Sequence, residues 1–336
     1  MSSLTFFVVT YNHEEYILEH LESIKFQIKN FGNGMTFHLL IADDASKDNT
    51  VSLIQYWTSL NKDLFAQVTW SIRSINVGTC RNITSSIPLI TSKMFKMTAG
   101  DDVYSNENLI EEFTKIKDYN VVSGLPLYLV DTRISNPKFT IFNILATNAI
   151  YRNSIFLTRL KKINFFNAPS LVYSLKEIKQ NHLLKFVEKF KVTEDFPILI
   201  SLAKACKPLR FLQVEKVFIY YRRTPNSTYL IKSNTFDSDK SSLFRHLEKS
   251  ESSHIDKLLI KNRALAFKMP NRFIKRIINM NLYIYFIKMF LSLPVFIFRY
   301  LRFNERLDLI AHQEHFDFVS NNAKGIYIEY SKNKTV

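Results

Sequence analysis

The sequence predicts an α/β protein built on a mostly parallel sheet with helices on both faces, followed by a helical C-terminal region. Three observations predict it. Over the first hundred residues, short apolar runs rich in β-branched and aromatic side chains alternate with segments of helical period. Polar side chains gather where the apolar runs end, which is where open α/β sheets bind ligands. The phosphate loops G-x-G-x-x-G and G-x-x-x-x-G-K-S/T are missing, which removes the commonest dinucleotide and P-loop enzymes.

Residues 4–9, Leu-Thr-Phe-Phe-Val-Val, lack a helical period and suit a strand buried on both faces. The spacing then changes: Ile17, Leu21, Ile24 and Ile28 mark one face of a helix that begins after His13. Residues 36–42 form a second strand, which ends at Asp43-Asp44-Ala45-Ser46, and a helix from about Asn49 to Leu60 follows. Gln67–Ile72 is a third strand, with a helix starting near Gly78. Residues 92–97 form a fourth strand, closed by Ala99-Gly100-Asp101-Asp102. Thr10, Tyr11, Asn12, Asp43, Asp44, Arg81, Asp101 and Asp102 all fall near carboxyl ends. Paired acids there fit a divalent metal on a diphosphate, because Mg2+ or Mn2+ takes a few carboxylates plus phosphate oxygens.

Composition narrows the class further. The chain has 336 residues and is 46% hydrophobic, enough for a real core and against disorder. Its net charge of +15 is uneven. Residues 1–130 hold 10 basic and 14 acidic side chains, whereas residues 131–336 hold 35 and 16. Two cysteines, Cys80 and Cys206, make no disulfide framework and point to a reducing compartment. The first residues carry no basic segment ahead of a cleavable apolar stretch, so a cytoplasmic location is expected. A basic nucleic-acid-binding protein is disfavoured: no recognition motif is present, the front is acidic, and the basic excess lies beside an apolar helix.

Six pieces, in order, carry a resemblance. They are Val8-Val9-Thr10-Tyr11-Asn12, Ile41 through Asp48, Asn76-Val77-Gly78 with Arg81-Asn82, Ala99-Gly100-Asp101-Asp102, Thr193-Glu194-Asp195, and Tyr220-Tyr221-Arg222 ahead of Ser227. Over about residues 3–230 the chain resembles the GT-A family 2 glycosyltransferases. The resemblance implies a Rossmann-like GT-A fold, a nucleotide-sugar donor, Mn2+ or Mg2+, and inversion at the anomeric carbon. It places Thr10, Tyr11 and Asn12 on the nucleotide loop and Asp43 and Asp44 at base and ribose, with Asp44 the better candidate for uracil. It puts Arg81 near the nucleotide, Asp101 on the metal and ribose motif, and Asp102 as the direct metal ligand. Asp195 matches the general base with Glu194 as its neighbour, and Arg222, in the segment that closes the domain, is placed among the nucleotide-sugar-binding residues. The chain departs from the common pattern at Ala99, where many members have a third acid.

The chemistry needs such groups. Inverting transfer is a single displacement, and the acceptor hydroxyl must lose its proton as it attacks. One carboxylate within reach can take it, which is the role expected of Asp195. Glu194 is expected to raise that carboxylate by like-charge repulsion if the two are close. Simpler readings exist for each piece: Asp43 to Ser46 also suits a helix entry, and Glu194-Asp195 a helix's first turn. His312 and His315 do not have the H-E-x-x-H zinc spacing.

These expectations divide the chain into a catalytic domain over residues 1–230, with a nucleotide half (1–104) and an acceptor half (105–230), and a basic helical region over 231–336. Residues 233–253 read as a polar linker or exposed helix pair. Residues 272–306 carry an apolar stretch, 282–298, between basic flanks. It is marginal for crossing a membrane and suits a helix in the interface of an anionic one, or a hairpin packed on the catalytic domain. The expected function is an inverting glycosyltransferase, peripheral on the inner face of the cell membrane. It would use a nucleotide-sugar donor, most often UDP-linked, and a saccharide or lipid-linked acceptor, in bacterial O-antigen or capsule assembly. A non-catalytic sugar-nucleotide-binding relative is the alternative that Ala99 motivates.

Overall fold

The computed structural model describes residues 3–163, 165–224 and 234–334. Ser227 and the expected domain boundary at 230 lie outside the described residues. The front follows the expected alternation. Strand β1 (Ser3–Thr10) leads to helix α1 (Ile17–Phe31), β2 (Thr36–Asp43) to α2 (Thr50–Leu60), and β3 (Gln67–Ile72) to α3 (Thr79–Ser86). Strand β4 (Met94–Ala99) leads to the short β5 (Val103–Tyr104) and α4 (Leu109–Thr114). β4 starts two residues later than the sequence predicts. Ser92 is used as a tie instead, its hydroxyl bonding the Met94 carbonyl and pairing with Thr5.

Residues 121–222 run β6 (Val121–Val130), β7 (Arg133–Ser135), α5 (Lys138–Ile150), α6 (Phe156–Lys162), β8 (Leu171–Ser174), α7 (Leu175–Ile178), α8 (Asn181–Val187), α9 (Asp195–Ala205) and β9 (Phe211–Arg222). All strands join one sheet in the order β3-β2-β1-β4-β8-β6-β9-β5, with β7 paired to β6. β1 runs parallel to β2 and β4, and β2 to β3, so the front is wholly parallel. β8 enters antiparallel between β4 and β6, which makes the complete sheet mixed. Strand alternation explains the two-sided burial: Phe7 joins one apolar layer, while Phe6 and Val8 join the layer under α1 on the other face.

Five helices follow: α10 (Asn234–Lys249), α11 (His254–Lys268), α12 (Arg272–Ile278), α13 (Met280–Arg306) and α14 (Leu309–Lys334). The reading of 233–253 as linker or exposed pair is corrected here. Leu243, Phe244 and Leu247 form a narrow buried stripe on α10 that the surrounding Ser, Lys and Asp residues obscure in the sequence. α14 returns to α1, and its Phe316 and Val319 complete the core around β6, β9 and α5. His312 Nδ1 pairs with the Tyr220 hydroxyl at 2.8 Å, and His315 Nε2 meets the Tyr104 carbonyl at 3.1 Å. These two histidines are staples between the tail and the sheet. α13 lies against α5, with Phe142 edge-on to Phe296 and Tyr300 and the Tyr285 hydroxyl 2.7 Å from Asn143 Oδ1. By length and composition α13 is apolar enough to cross a membrane.

Candidate active site

The carboxyl ends of β1, β2 and β4 open into a cleft of about 1710 Å3. One small ligand typically occupies roughly 300–1,000 Å3, so the cleft has room for two substrates. Its walls come from the nucleotide half, from residues 166–169 and 192–195, from the end of β9, and from α10 and α14.

Two loops on the nucleotide side are stitched into one frame. The Asn12 amide donates to Ser46 Oγ at 2.9 Å, and the Lys47 amide donates back to Asn12 Oδ1 at 2.8 Å. The His13 and Glu14 amides reach Thr50 and Asp48, while Glu14 accepts from both the amide and the side chain of Asn49. Asn12 and Ala45 hold positive φ, at 54° and 66°, a backbone region that non-glycine residues occupy rarely and mostly under such constraint. Burial would raise the Asp48 carboxyl, but hydrogen bonds from Thr50 and nearby amides outweigh it and hold the group below its ordinary value. Asp43 accepts from both the amide and the hydroxyl of Ser46 and does not line the cleft. Arg81 is exposed on α3 and also lies outside the lining. Of the expected nucleotide residues, then, the cleft brings together Thr10, Tyr11, Asn12, Asp44, Asp101 and Arg222.

Asp44 organises the next segment. Its two carboxylate oxygens accept from the Val77 and Gly78 amides at 2.8 and 2.9 Å. Each oxygen keeps a second lone pair for a ligand donor. Gly78 has φ +88°, and a Cβ there would stand 3.1 Å from the Lys191 carbonyl oxygen. The Cys80 amide donates to that same oxygen at 3.0 Å. The segment at Gly78–Cys80 and the loop ahead of Glu194 therefore share a backbone contact.

Asp101 and Asp102 sit in the turn after β4. The Arg222 amide donates to Asp102 Oδ1 at 2.9 Å, and Arg222 Nε donates to the Asp101 carbonyl at 2.7 Å. The guanidinium also pairs with Glu19, which in turn accepts from Ser320 on α14 at 2.7 Å. Arg222 thus holds the acidic turn in place while lining the cleft. Burial, and Asp101 beside it, push the Asp102 carboxyl well above its ordinary value despite Arg222 and Lys96. Lys96 is fully buried on β4 and bonds Met97, Thr98 and Pro169; burial pushes it down to about 7.

Among the described residues, Asp102 Oδ2 is buried without a hydrogen-bond partner. An orphaned carboxylate oxygen beside a second acid suits a cation. Among the described residues, no three His, Cys, Asp or Glu side chains converge as a metal site. The pair therefore fits Mn2+ or Mg2+ bound by one or two carboxylates and completed by phosphate oxygens.

Glu194 caps α9 and Asp195 is its first residue, and both line the cleft. Burial, then Asp195, push the Glu194 carboxyl up to about 8. The like-charge repulsion expected between the two acids acts on Glu194. Asp239 on α10 secures the loop ahead of this pair by accepting from the amides of Lys191, Val192 and Thr193 at 2.9, 2.8 and 3.1 Å. Lys240, its neighbour, lies over the Phe196 ring at 4.7 Å.

Among the described residues, five of the lining carry a buried polar atom with no partner: Thr10, His13, Asn82, Asp102 and Thr193. Buried polar groups are nearly always satisfied, so their concentration here marks a ligand site. Sequence reasoning missed Glu19, Lys96, Asp239, Ser320 and Lys324. The α14 wall had a signal in the spacing of Phe316, Ser320, Ala323 and Tyr327 on one helical face. Asp239 had none, because its partners are backbone amides.

Residues 5–191 match the family described as Glycosyl transferase family 2. Abequosyltransferase RfbV of Salmonella typhimurium is 28% identical over 106 residues, 32% of this chain and 30% of that protein. The match thus spans under a third of that relative's length. Among solved structures, S. aureus TarS 1-349 in complex with UDP-GlcNAc aligns with a TM-score of 0.55 at 18% identity, covering 79% of this chain and 72% of the other. The mannosyltransferase PcManGT from Pyrobaculum calidifontis, in complex with GDP-Man and Mn2+, aligns with a TM-score of 0.51 at 14% identity, covering 99% and 83%. At such identities the likeness is one of fold, that of the GT-A glycosyltransferases.

Proposed function

The chain belongs to glycosyl transferase family 2, and on that premise we propose that it is an inverting enzyme that moves a sugar from a nucleoside-diphosphate donor to a saccharide acceptor. UDP is the expected nucleotide and a hexose-type sugar the expected cargo. The acceptor is read as lipid-linked, at the inner face of the cell membrane, in the assembly of a bacterial surface polysaccharide. The nucleotide sugars in the names of the two neighbouring structures, and the activity in the name of the Salmonella relative, support this reading.

The observation that carries it is the placement of two acid pairs, Asp101–Asp102 and Glu194–Asp195, on the lining of one cleft. The first pair stands at the carboxyl end of β4, where a diphosphate is expected. Mn2+ or Mg2+ held by Asp101 and Asp102 would supply Lewis-acid stabilisation of charge on the leaving diphosphate. Asp44, with a free lone pair on each oxygen, is placed to accept from a base or ribose. The second pair handles the acceptor proton. Burial and the neighbouring Asp195 push Glu194 up to about 8, so Glu194 keeps its proton near neutrality and Asp195 is read as the base. Glu14, Glu19 and Asp48 also line the cleft, but Asn49, Arg222 and Thr50 engage them as wall supports.

The test is Asp195→Asn, assayed against a panel of UDP, GDP and dTDP sugars with and without Mn2+. Turnover is expected to fall by about 100-fold or more while donor-induced thermal stabilisation persists. Unchanged turnover would remove Asp195 as the base. Donor binding without turnover in the unaltered protein would make it a sugar-nucleotide binder.

A further inference from the structure

Helix α13 is apolar on two opposite sides. Asn281, Tyr285, Phe296 and Phe303 are buried against the protein along nearly its whole length. The other side carries Phe286, Phe290, Leu291, Val295, Phe298 and Leu301, at helical spacing and all exposed; Phe290 and Phe298 are each 74% accessible. The preceding α12 adds exposed Phe273 and Ile277. Residues 272–306 hold seven Lys or Arg and a single acid, Glu305.

We propose that this outer stripe seats the protein on an anionic lipid bilayer, with α13 lying in the plane of the interface. Charge decides between a membrane and a second copy of the chain. Arg299 and Arg306 are held by Glu215 and Lys288 lies over Tyr151, but Arg272, Arg276 and Arg302 are exposed; two copies meeting face to face would bring these three cations together, whereas anionic headgroups neutralise them. Packing decides between lying and crossing. A spanning helix needs about 20 residues surrounded by lipid or by other spanning segments. The inner side of α13 is instead fastened to α5 by the Tyr285–Asn143 hydrogen bond and the Phe142 ring contacts.

The seat also places the cleft. Thr140 of α5 lines it, while Phe142 and Asn143 of the same helix hold α13. The site therefore stands one packed helix, about 8–10 Å between axes, from the lipid-facing helix. An acceptor carried on lipid needs only that short reach. This consequence rests on the proposed reaction, but the seat itself is read without turnover, so each can fail alone.

The full chain is floated with vesicles of phosphatidylcholine alone or mixed with phosphatidylglycerol. Binding is expected only with the anionic lipid and is expected to weaken as salt rises. The Phe290→Glu plus Phe298→Glu variant should lose about tenfold or more of that binding while its melting temperature stays unchanged. Equal flotation of both proteins overturns the seat. So does a concentration-dependent dimer that this variant abolishes, since the face would then belong to a second copy. Orientation is read from Phe290→Trp and Phe298→Trp, each quenched by lipids brominated at different depths. The same shallow depth at both positions supports the in-plane helix. Depths differing by about 12 Å, the rise of eight helical residues, would mean that α13 crosses.

Discussion

Asp239 accepts a 2.8 Å hydrogen bond from the Val192 amide and so ties a helix of the C-terminal region to the loop that presents Glu194 and Asp195. With the Lys191 and Thr193 amides it holds three consecutive donors on one carboxylate. Nothing else described on α10 fixes this loop so closely. Asp239→Ala should let the acid pair drift. Because a misplacement near 1 Å can cost about 100-fold, kcat is expected to fall by roughly 10–100-fold. Donor affinity should hold, since Asp44 still organises residues 77–78. Steady-state kinetics beside donor titration checks the split, and loss of donor affinity with unchanged kcat would remove the positioning role.

Glu194 gives a pH signature in stability. Its carboxyl is raised to about 8 by burial and by Asp195, against an ordinary value of 4.5. Between those values the folded chain holds a proton that the unfolded chain has released. Stability contributed at this site is therefore present below about pH 4.5 and is lost as pH rises toward 8. Glu194→Gln removes the titration. Its melting temperature should match the parent near pH 5 and exceed it by about 2–4 °C near pH 8. Calorimetry across that range decides it; an equal difference at both pH values would count against a buried, repelled carboxyl.

Gly78 links the donor and base sides through its closeness to Lys191. Its φ of +88° is strained for any side chain, and the 3.1 Å approach of a Cβ to the Lys191 oxygen leaves little room. Gly78→Ala is expected to cost about 1–3 kcal/mol. Unlike Asp239→Ala, it should weaken the donor, because the Gly78 amide bonds Asp44. Denaturant unfolding and donor titration of the same preparation separate the two effects.

Much of the nucleotide half was legible because its signals are local. Apolar runs without helical period became β1 to β3 within a residue or two, and Asp44, Asp101 and Asp102 gathered around the cleft. Legibility failed where a residue acts through the backbone or across the chain. Asp43 and Asp44 were both expected at base and ribose, with Asp44 the better candidate for the base, yet one carboxylate closes its own turn and the other reaches residues 77–78. Arg222 was read as a nucleotide contact, and its charge is largely committed to Glu19 and the Asp101 carbonyl. Lys96 was invisible as a site residue because a lysine within a strand pattern gives no sign of full burial. Such roles depend on contacts between segments 33 to 203 residues apart, which periodicity does not encode.

The tail depends on two histidines that burial keeps neutral. Burial, with His315 beside it, lowers His312 to about 4, and burial lowers His315 to about 4 against the help of the Tyr104 carbonyl. Their ordinary value is 6.5, so between pH 6.5 and 4 the unfolded chain takes up protons that the folded chain refuses. Their stabilisation is therefore complete above about pH 6.5 and disappears as pH falls toward 4. Each site accounts for about 2–3 kcal/mol of that loss. Because His312 bonds Tyr220 and His315 meets Tyr104, acid should loosen α14 from the sheet first. Hydrogen exchange should rise over residues 309–334 below pH 6 ahead of exchange in β1 and β2. His312→Gln should flatten the fall of melting temperature over that interval, and exchange that rises together in α14 and β1 would mean that the tail and sheet unfold as one unit.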